Sequence, residues 1–241
     1  MNLIIDIGNT RTKVAVFDGD TLMEQWVYEC ITPECISSIT KMYSISKAIV
    51  SSVGKDVDCK NLLSGIPRYF DLSSQLKLPI TNMYKTPNTL GADRLAGAVG
   101  ATVLFPDENN LVIDMGTCIT LDFVNKDGEY KGGAILPGIS MKFKALHTFT
   151  NKLPLLSTEN LVDTANIIGN DTQSSIILGV INATCYELEG FVDRYIDTFG
   201  PINIIFTGGD AIYFEKRVKF PNFVNSNLLL IGLNKILNYN E

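Results

Sequence analysis

The chain opens on an apolar run, Leu3-Ile4-Ile5, that stops at Asp6 and passes through a turn of Gly, Asn and Thr to Arg11. From Thr12 to Asp18 polar and apolar positions then alternate, with Val14, Ala15, Val16 and Phe17 following Lys13. A period of two marks a half-buried strand, so this stretch predicts a β-hairpin, with a further turn at Asp18-Gly19-Asp20 and a third strand over 21–29. Beyond Pro33 the period changes, and Cys35, Ile36, Ile39 and Met42 fall at helical spacing. Residues 48–53 are a β-branched strand ending at Gly54. Pro79 and Pro87 make 77–90 an extended loop, after which Leu95, Ala98, Val99, Thr102 and Val103 predict a helix over 91–105.

The pattern then restarts. Asn110-Leu-Val-Ile-Asp114-Met-Gly116-Thr117 restates Asn2-Leu-Ile-Ile-Asp6-Ile-Gly8-Asn9 almost residue for residue, which divides the chain into halves at 1–109 and 110–241. In the second half, 120–124 continues as a strand, Asp127-Gly128 turns, and Gly132-Gly133-Ala-Ile-Leu-Pro137-Gly138 bends into a helix through Met141 and Leu146. Residues 163–170 read as a polar loop, 176–199 as a long amphipathic helix, and 202–206 as a strand ending in Thr207-Gly208-Gly209-Asp210. A final strand and helix follow over 222–230 and 232–239. Hairpin strands followed by alternating helices and strands predict an α/β protein of mixed sheets flanked by helices.

Composition narrows the partners. At 241 residues, 46% hydrophobic and 19% charged, the chain can bury a core without crosslinks. Its net charge of -6 and scattered basic residues argue against nucleic acid. No run approaches the roughly 20 apolar residues of a membrane span, and Asp6 interrupts the first apolar stretch too early for a signal peptide. The five cysteines form no C-x-x-C pair and read as reduced thiols of a cytoplasmic protein.

A small anionic ligand suits this chain if backbone amides and a cation screen its charge. A strand ending in Asp6 with Gly8 in its turn lets amides approach phosphate oxygens, since glycine has no Cβ to obstruct them. Asn9 and Thr10 add short donors, Lys13 a positive charge, and Asp6 can hold Mg²⁺ through water. One such motif is matched by an ordinary hairpin turn; two copies, followed by a Gly-rich segment and a third Gly-rich strand end, favour phosphate binding. Phosphoryl transfer to a hydroxyl also needs a carboxylate to accept a proton. Asp93 is the candidate, with Arg94 beside it able to clamp a substrate carboxylate, although an Asp there also serves as a helix cap.

These residues together resemble type III pantothenate kinases, of the acetate and sugar kinase, Hsp70 and actin superfamily. The matching pieces are Asp6-Ile-Gly-Asn-Thr-Arg-Thr-Lys13, Tyr84 ahead of Leu90-Gly-Ala-Asp93-Arg94, Asp114-Met-Gly-Thr117, Gly132 to Gly138, Thr172, and Thr207-Gly-Gly-Asp210. The resemblance implies two ribonuclease H-like domains in an actin-like ATPase duplication, a homodimer, and transfer of the γ-phosphate of ATP to pantothenate in the first step towards coenzyme A. It implies ATP binding, with Mg²⁺, by Asp6, Ile7, Gly8, Asn9, Thr10, Arg11, Thr12, Lys13 and Thr117, and proton acceptance by Asp93. It further implies pantothenate binding by Tyr84, Gly91, Ala92, Asp93, Arg94 and Thr172, and a monovalent cation, K⁺ or NH₄⁺, at Asp114. Two other readings share the phosphate machinery: a kinase for another small alcohol such as a sugar, and a nucleotide-responsive regulator without catalysis.

Overall fold

In a computed structural model the protein is described over residues 1–53, 58–72, 76–158 and 167–240. The opening run forms β1 (Asn2–Ile7), antiparallel to β2 (Thr12–Asp18), which pairs with β3 (Thr21–Tyr28). Helix α1 (Pro33–Met42) starts where the sequence supplies a cap: the Thr32 hydroxyl accepts from the Cys35 amide and Pro33 occupies the first turn, where its missing N–H costs nothing. Strand β4 (Lys47–Ser52) returns parallel to β1, and after the short helix α2 (Cys59–Leu62) comes β5 (Arg68–Asp71), parallel to β4. The sheet order β3-β2-β1-β4-β5 leaves β1 in the centre and buried on both faces, which is why it reads as an unbroken apolar run. Leu3, Ile5, Val14, Val16 and Val50 pack on Ile36 and Ile39 of α1.

The second sheet repeats that order. β7 (Asn110–Met115), β8 (Cys118–Val124), β9 (Glu129–Pro137), β10 (Asn203–Thr207) and β11 (Phe223–Val224) run β11-β10-β7-β8-β9, so the restated sequence occupies the middle place in both sheets. β6 (Thr81–Asn82) adds to the edge of β9, inside the stretch expected to be loop, and Pro87–Thr89 is a 3-10 turn. The helices are α3 (Ala92–Leu104), α4 (Ile139–Thr148), α5 (Thr172–Phe199), α6 (Ala211–Glu215) and α7 (Leu228–Tyr239). This is the α/β fold of mixed sheets flanked by helices, with the five-strand order of the first sheet repeated in the second.

Two expectations shift. Gly132 and Gly133 lie within β9, and the chain turns into α4 only at Gly138. The last strand shrinks to two residues, Phe223 and Val224. Half of the predicted polar loop at 163–170, residues 163–166, and Gly54 fall outside the described residues. The long helix α5 begins at a capping box, in which Asp171 and Ser174 satisfy each other's backbone amides. By length and a mean hydropathy of 1.2 over an 18-residue window it is apolar enough to cross a membrane, which the sequence reading did not foresee. Half of that window is buried within the protein, as in a core helix.

Close contacts group the chain into two units, Met1–Leu111 with Asp122–Gly132 and Asn227–Glu241, and Val112–Leu121 with Gly133–Ser226. In the first, α3 and α7 cross at their backbones. A Cβ on Gly232 would overlap the Ala96 carbonyl and one on Gly100 the Leu228 carbonyl, so both positions require glycine. Asn2 donates to both Asn234 and Asn238 and ties β1 to α7. Asn110, the restated residue, donates to the carbonyls of Phe105 and Glu108 at the end of α3.

Candidate active site

Within the first unit, strand register sets Asp6 opposite Lys13 on β2 and Ser51 on β4. Only 8% of Asp6 is exposed, and its pKa rises from 3.8 to about 6. Burial is the main cause; the charge of Lys13 lowers it, that of Asp93 raises it, and the Ser51 hydroxyl lowers it. Asp93 thus lies within electrostatic reach of Asp6, though 87 positions of chain separate the two in sequence. The turn between β1 and β2 closes by a hydrogen bond from the Gly8 amide to the Arg11 carbonyl, 3.0 Å, and leaves Asn9, Thr10 and Arg11 exposed. Ile7 and Thr12 are buried beneath it.

Asp93 sits in the first turn of α3, half-buried, one residue past Ala92 and two past the N-cap Gly91. Gly91 and not Asp93 is the cap, which leaves the carboxylate only the Arg94 amide, 2.8 Å away, as an amide partner among the hydrogen bonds described. Arg94 is almost wholly buried and its Nε donates to Asp122 at 2.8 Å. Burial works against its charge, but Asp122, Tyr130 and hydrogen bonds to Asp122 and Tyr84 more than offset it and raise its pKa. Its guanidinium lies over the Tyr84 ring, 5.7 Å from the centroid. The structure therefore brings Tyr84, Gly91, Ala92, Asp93 and Arg94 to one end of α3.

In the second unit, Asp114 lies half-buried one residue before the end of β7, and Gly116 and Thr117 form an exposed turn closed by the Gly116 amide on the Cys118 carbonyl, 3.0 Å. Gly208, at φ 91°, lies against it: a Cβ there would press on the Asp114 carboxylate and on the backbone of Met115. The Asp210 amide donates to the Met115 carbonyl at 3.1 Å, and burial raises the pKa of its carboxyl. Thr172 is exposed on the first turn of α5, and no hydrogen bond among the described residues joins it to either cluster. His147, whose ring nitrogen meets the Leu153 carbonyl at 2.8 Å, has a structural partner.

Sequence reasoning missed Asp122, Tyr130 and Ser51. Asp122 did leave a signal, since it is a charge inside the apolar strand Leu121-Asp122-Phe123-Val124, and a buried charge must find a partner.

The model of the family described as type III pantothenate kinase matches residues 2–194. A type III pantothenate kinase of Cytophaga hutchinsonii is 43% identical over 240 residues, covering 100% of both chains. Among solved structures, a conserved putative Baf family transcriptional activator from Campylobacter jejuni matches with a TM-score of 0.63 at 20% identity, over 99% of this chain and 98% of that one. A putative N-acetylmannosamine kinase from Listeria monocytogenes gives 0.55 at 13% identity, over 99% and 98%. Those two likenesses speak for the fold, and the family match for the lineage: the chain belongs to the type III pantothenate kinase family.

Proposed function

We propose that the chain transfers the γ-phosphate of ATP to the primary hydroxyl of pantothenate, giving 4′-phosphopantothenate and ADP and so opening coenzyme A biosynthesis. The observation that carries this reading is the pairing of a desolvated Asp6, facing Lys13, with a second carboxylate, Asp93, at the head of α3. The exposed turn over Asn9, Thr10 and Arg11 offers amides and short side chains to the phosphates, with Asp6, Ile7, Gly8, Thr12 and Lys13 holding its base and Thr117 contributing from its own turn. A buried carboxylate with a raised pKa suits a nearby cation, which fits Mg²⁺ brought with ATP near Asp6. Bound there, the ion would spread the charge of the phosphates.

In the reaction, the acceptor oxygen forms a bond to the γ-phosphorus as the bond to the β,γ-bridging oxygen breaks, and the hydroxyl proton passes to Asp93. Asp93 suits this because it is half-buried and spared the capping role. Arg94 pairs with the carboxylate of pantothenate, and Tyr84, Gly91, Ala92 and Thr172 complete the acceptor site. Asp114, against which only glycine fits at 208, is the residue proposed to hold K⁺ or NH₄⁺. The repeated strand order supports two ribonuclease H-like halves at 1–109 and 110–241. Exposed Met141, Phe149 and Tyr186 support a homodimer, and the acidic balance supports a cytoplasmic enzyme of small molecules rather than a partner of nucleic acid or membrane.

A coupled ADP assay tests this with ATP, Mg²⁺ and K⁺, with and without pantothenate. ADP release should depend on pantothenate, and Asp93→Asn should lower kcat by about 10²- to 10⁴-fold while ATP binding persists. Release indifferent to pantothenate would sink the substrate assignment; an active Asp93→Asn would remove the base.

A further inference from the structure

Arg94 is fixed by groups that the reaction scheme does not use. Asp122 is 1% exposed, and its Oδ1 accepts from both Arg94 Nε, at 2.8 Å, and the Tyr130 hydroxyl, at 2.7 Å. Tyr130 is fully buried; burial first, and then the charge of Asp122, hold its phenol well above the ordinary range, so it remains a donor. The Tyr84 ring, 6.3 Å from that of Tyr130, covers the guanidinium. Tyr84 has room because position 132 is glycine: at φ 96° a side chain is strained there, and a Cβ would stand 3.1 Å from the ring. With Nε held and one face covered, the planar fork of the guanidinium has one orientation left.

Arg94 Nη2 is buried and has no hydrogen-bond partner among the described residues, although Arg94 itself is only 7% exposed. A buried charged donor without an acceptor is costly, and such groups mark places where a ligand supplies the missing oxygen. We infer that Asp122 and Tyr130 are positioning residues for acceptor recognition: they lock the Arg94 guanidinium so that its Nη2 edge is presented to the carboxylate of the acceptor. This rests on the kinase reading above and adds to it a buried relay, Tyr130 to Asp122 to Arg94, whose far members never touch substrate. Preorganisation of this kind acts on acceptor binding, because the orientation is settled before the ligand arrives.

Asp122→Asn keeps the shape of the side chain and removes its charge. It should raise KM for pantothenate about tenfold, with kcat and KM for MgATP within about twofold of wild type. Tyr130→Phe, which removes a single oxygen and spares the fold should Asp122→Asn not be tolerated, should raise the same KM about threefold. In an Arg94→Gln background, Asp122→Asn should add no further loss, since it acts only through Arg94. Equal effects on both substrates, or additive losses in the double variant, would overturn the inference and leave the pair merely structural. Nitrogen-15 NMR of the Arg94 Nε–H gives a readout independent of turnover: a slowly exchanging signal in wild type, exchanging faster in Tyr130→Phe. Unchanged exchange would refute the relay even if the protein phosphorylated pantothenate. Failure of wild type to use pantothenate with the NMR effect intact would instead fault the acceptor, and with it the carboxylate assigned to Nη2.

Discussion

Replacing Asp6 by Asn should make the ligand-free protein more stable and less active, with a pH dependence that identifies the cause. The native pKa of about 6 against 3.8 means that at neutral pH the folded state carries a charge it holds less favourably than the unfolded chain does. Between those two values the native state binds more protons than the unfolded one, so stability falls as pH rises through the window. A shift of this size corresponds to about 3 kcal/mol once pH exceeds 7, of which about 2 kcal/mol develops between pH 4.5 and 8. Asn cannot titrate, so the stability difference between Asp6→Asn and wild type should grow in favour of the variant across that range. The groups facing Asp6 are Lys13, Asp93 and Ser51, and none of them alters the sign. Urea unfolding of both proteins at several pH values, without nucleotide, reads the effect directly. A difference that stays flat with pH, or that shrinks as pH rises, would mean that Asp6 is not held with a raised pKa in the folded protein. Wild type should also recover part of its deficit on adding MgATP, and Asp6→Asn should recover less.

Gly232→Ala places a methyl group against the Ala96 carbonyl where α7 crosses α3, and should cost about 3 kcal/mol or more, lowering Tm by roughly 6–12 °C. A shift below about 2 °C in a melting curve would mean that the helices part without cost. Exchanging K⁺ for Na⁺ should slow turnover in wild type, and Asp114→Asn should abolish the difference between the two ions; equal rates in wild type would remove the cation from Asp114.

The parts of this fold that were legible in sequence are those whose side chains meet one environment along a whole element. β1 is buried along its whole length, and β2 is buried without a break from Val14 to Phe17 rather than alternating as the sequence predicts, so two apolar runs flanking a polar turn made the hairpin stand out, and the restated run at Asn110 predicted a second strand that occupies the same place in its own sheet. β5 is largely exposed, with Phe70 half-buried under the Arg68 guanidinium, and it carries no period to read. Two glycines at the head of the segment 132–138 predict that it bends into a helix, because glycine usually marks such a bend. Here the positive φ of Gly132 makes room for Tyr84 within a strand that continues to Pro137. The candidate site was legible where it is local, in Asp6 to Lys13 and in Gly91 to Arg94. The burial of Arg94 was not, because the partner that decides it, Asp122, lies 28 positions away and is brought beside it only by the fold.

If one phosphate passes from ATP to pantothenate on this chain, the acceptor gains the mass that the nucleotide loses. Purified protein incubated with MgATP, K⁺ and pantothenate, with the products separated and weighed by mass spectrometry, tests it most directly. Pantothenate heavier by one phosphoryl group should appear, formed one for one with ADP and lost in Asp93→Asn. ADP formed without phosphorylated pantothenate, or phosphate found on a different acceptor, would contradict it.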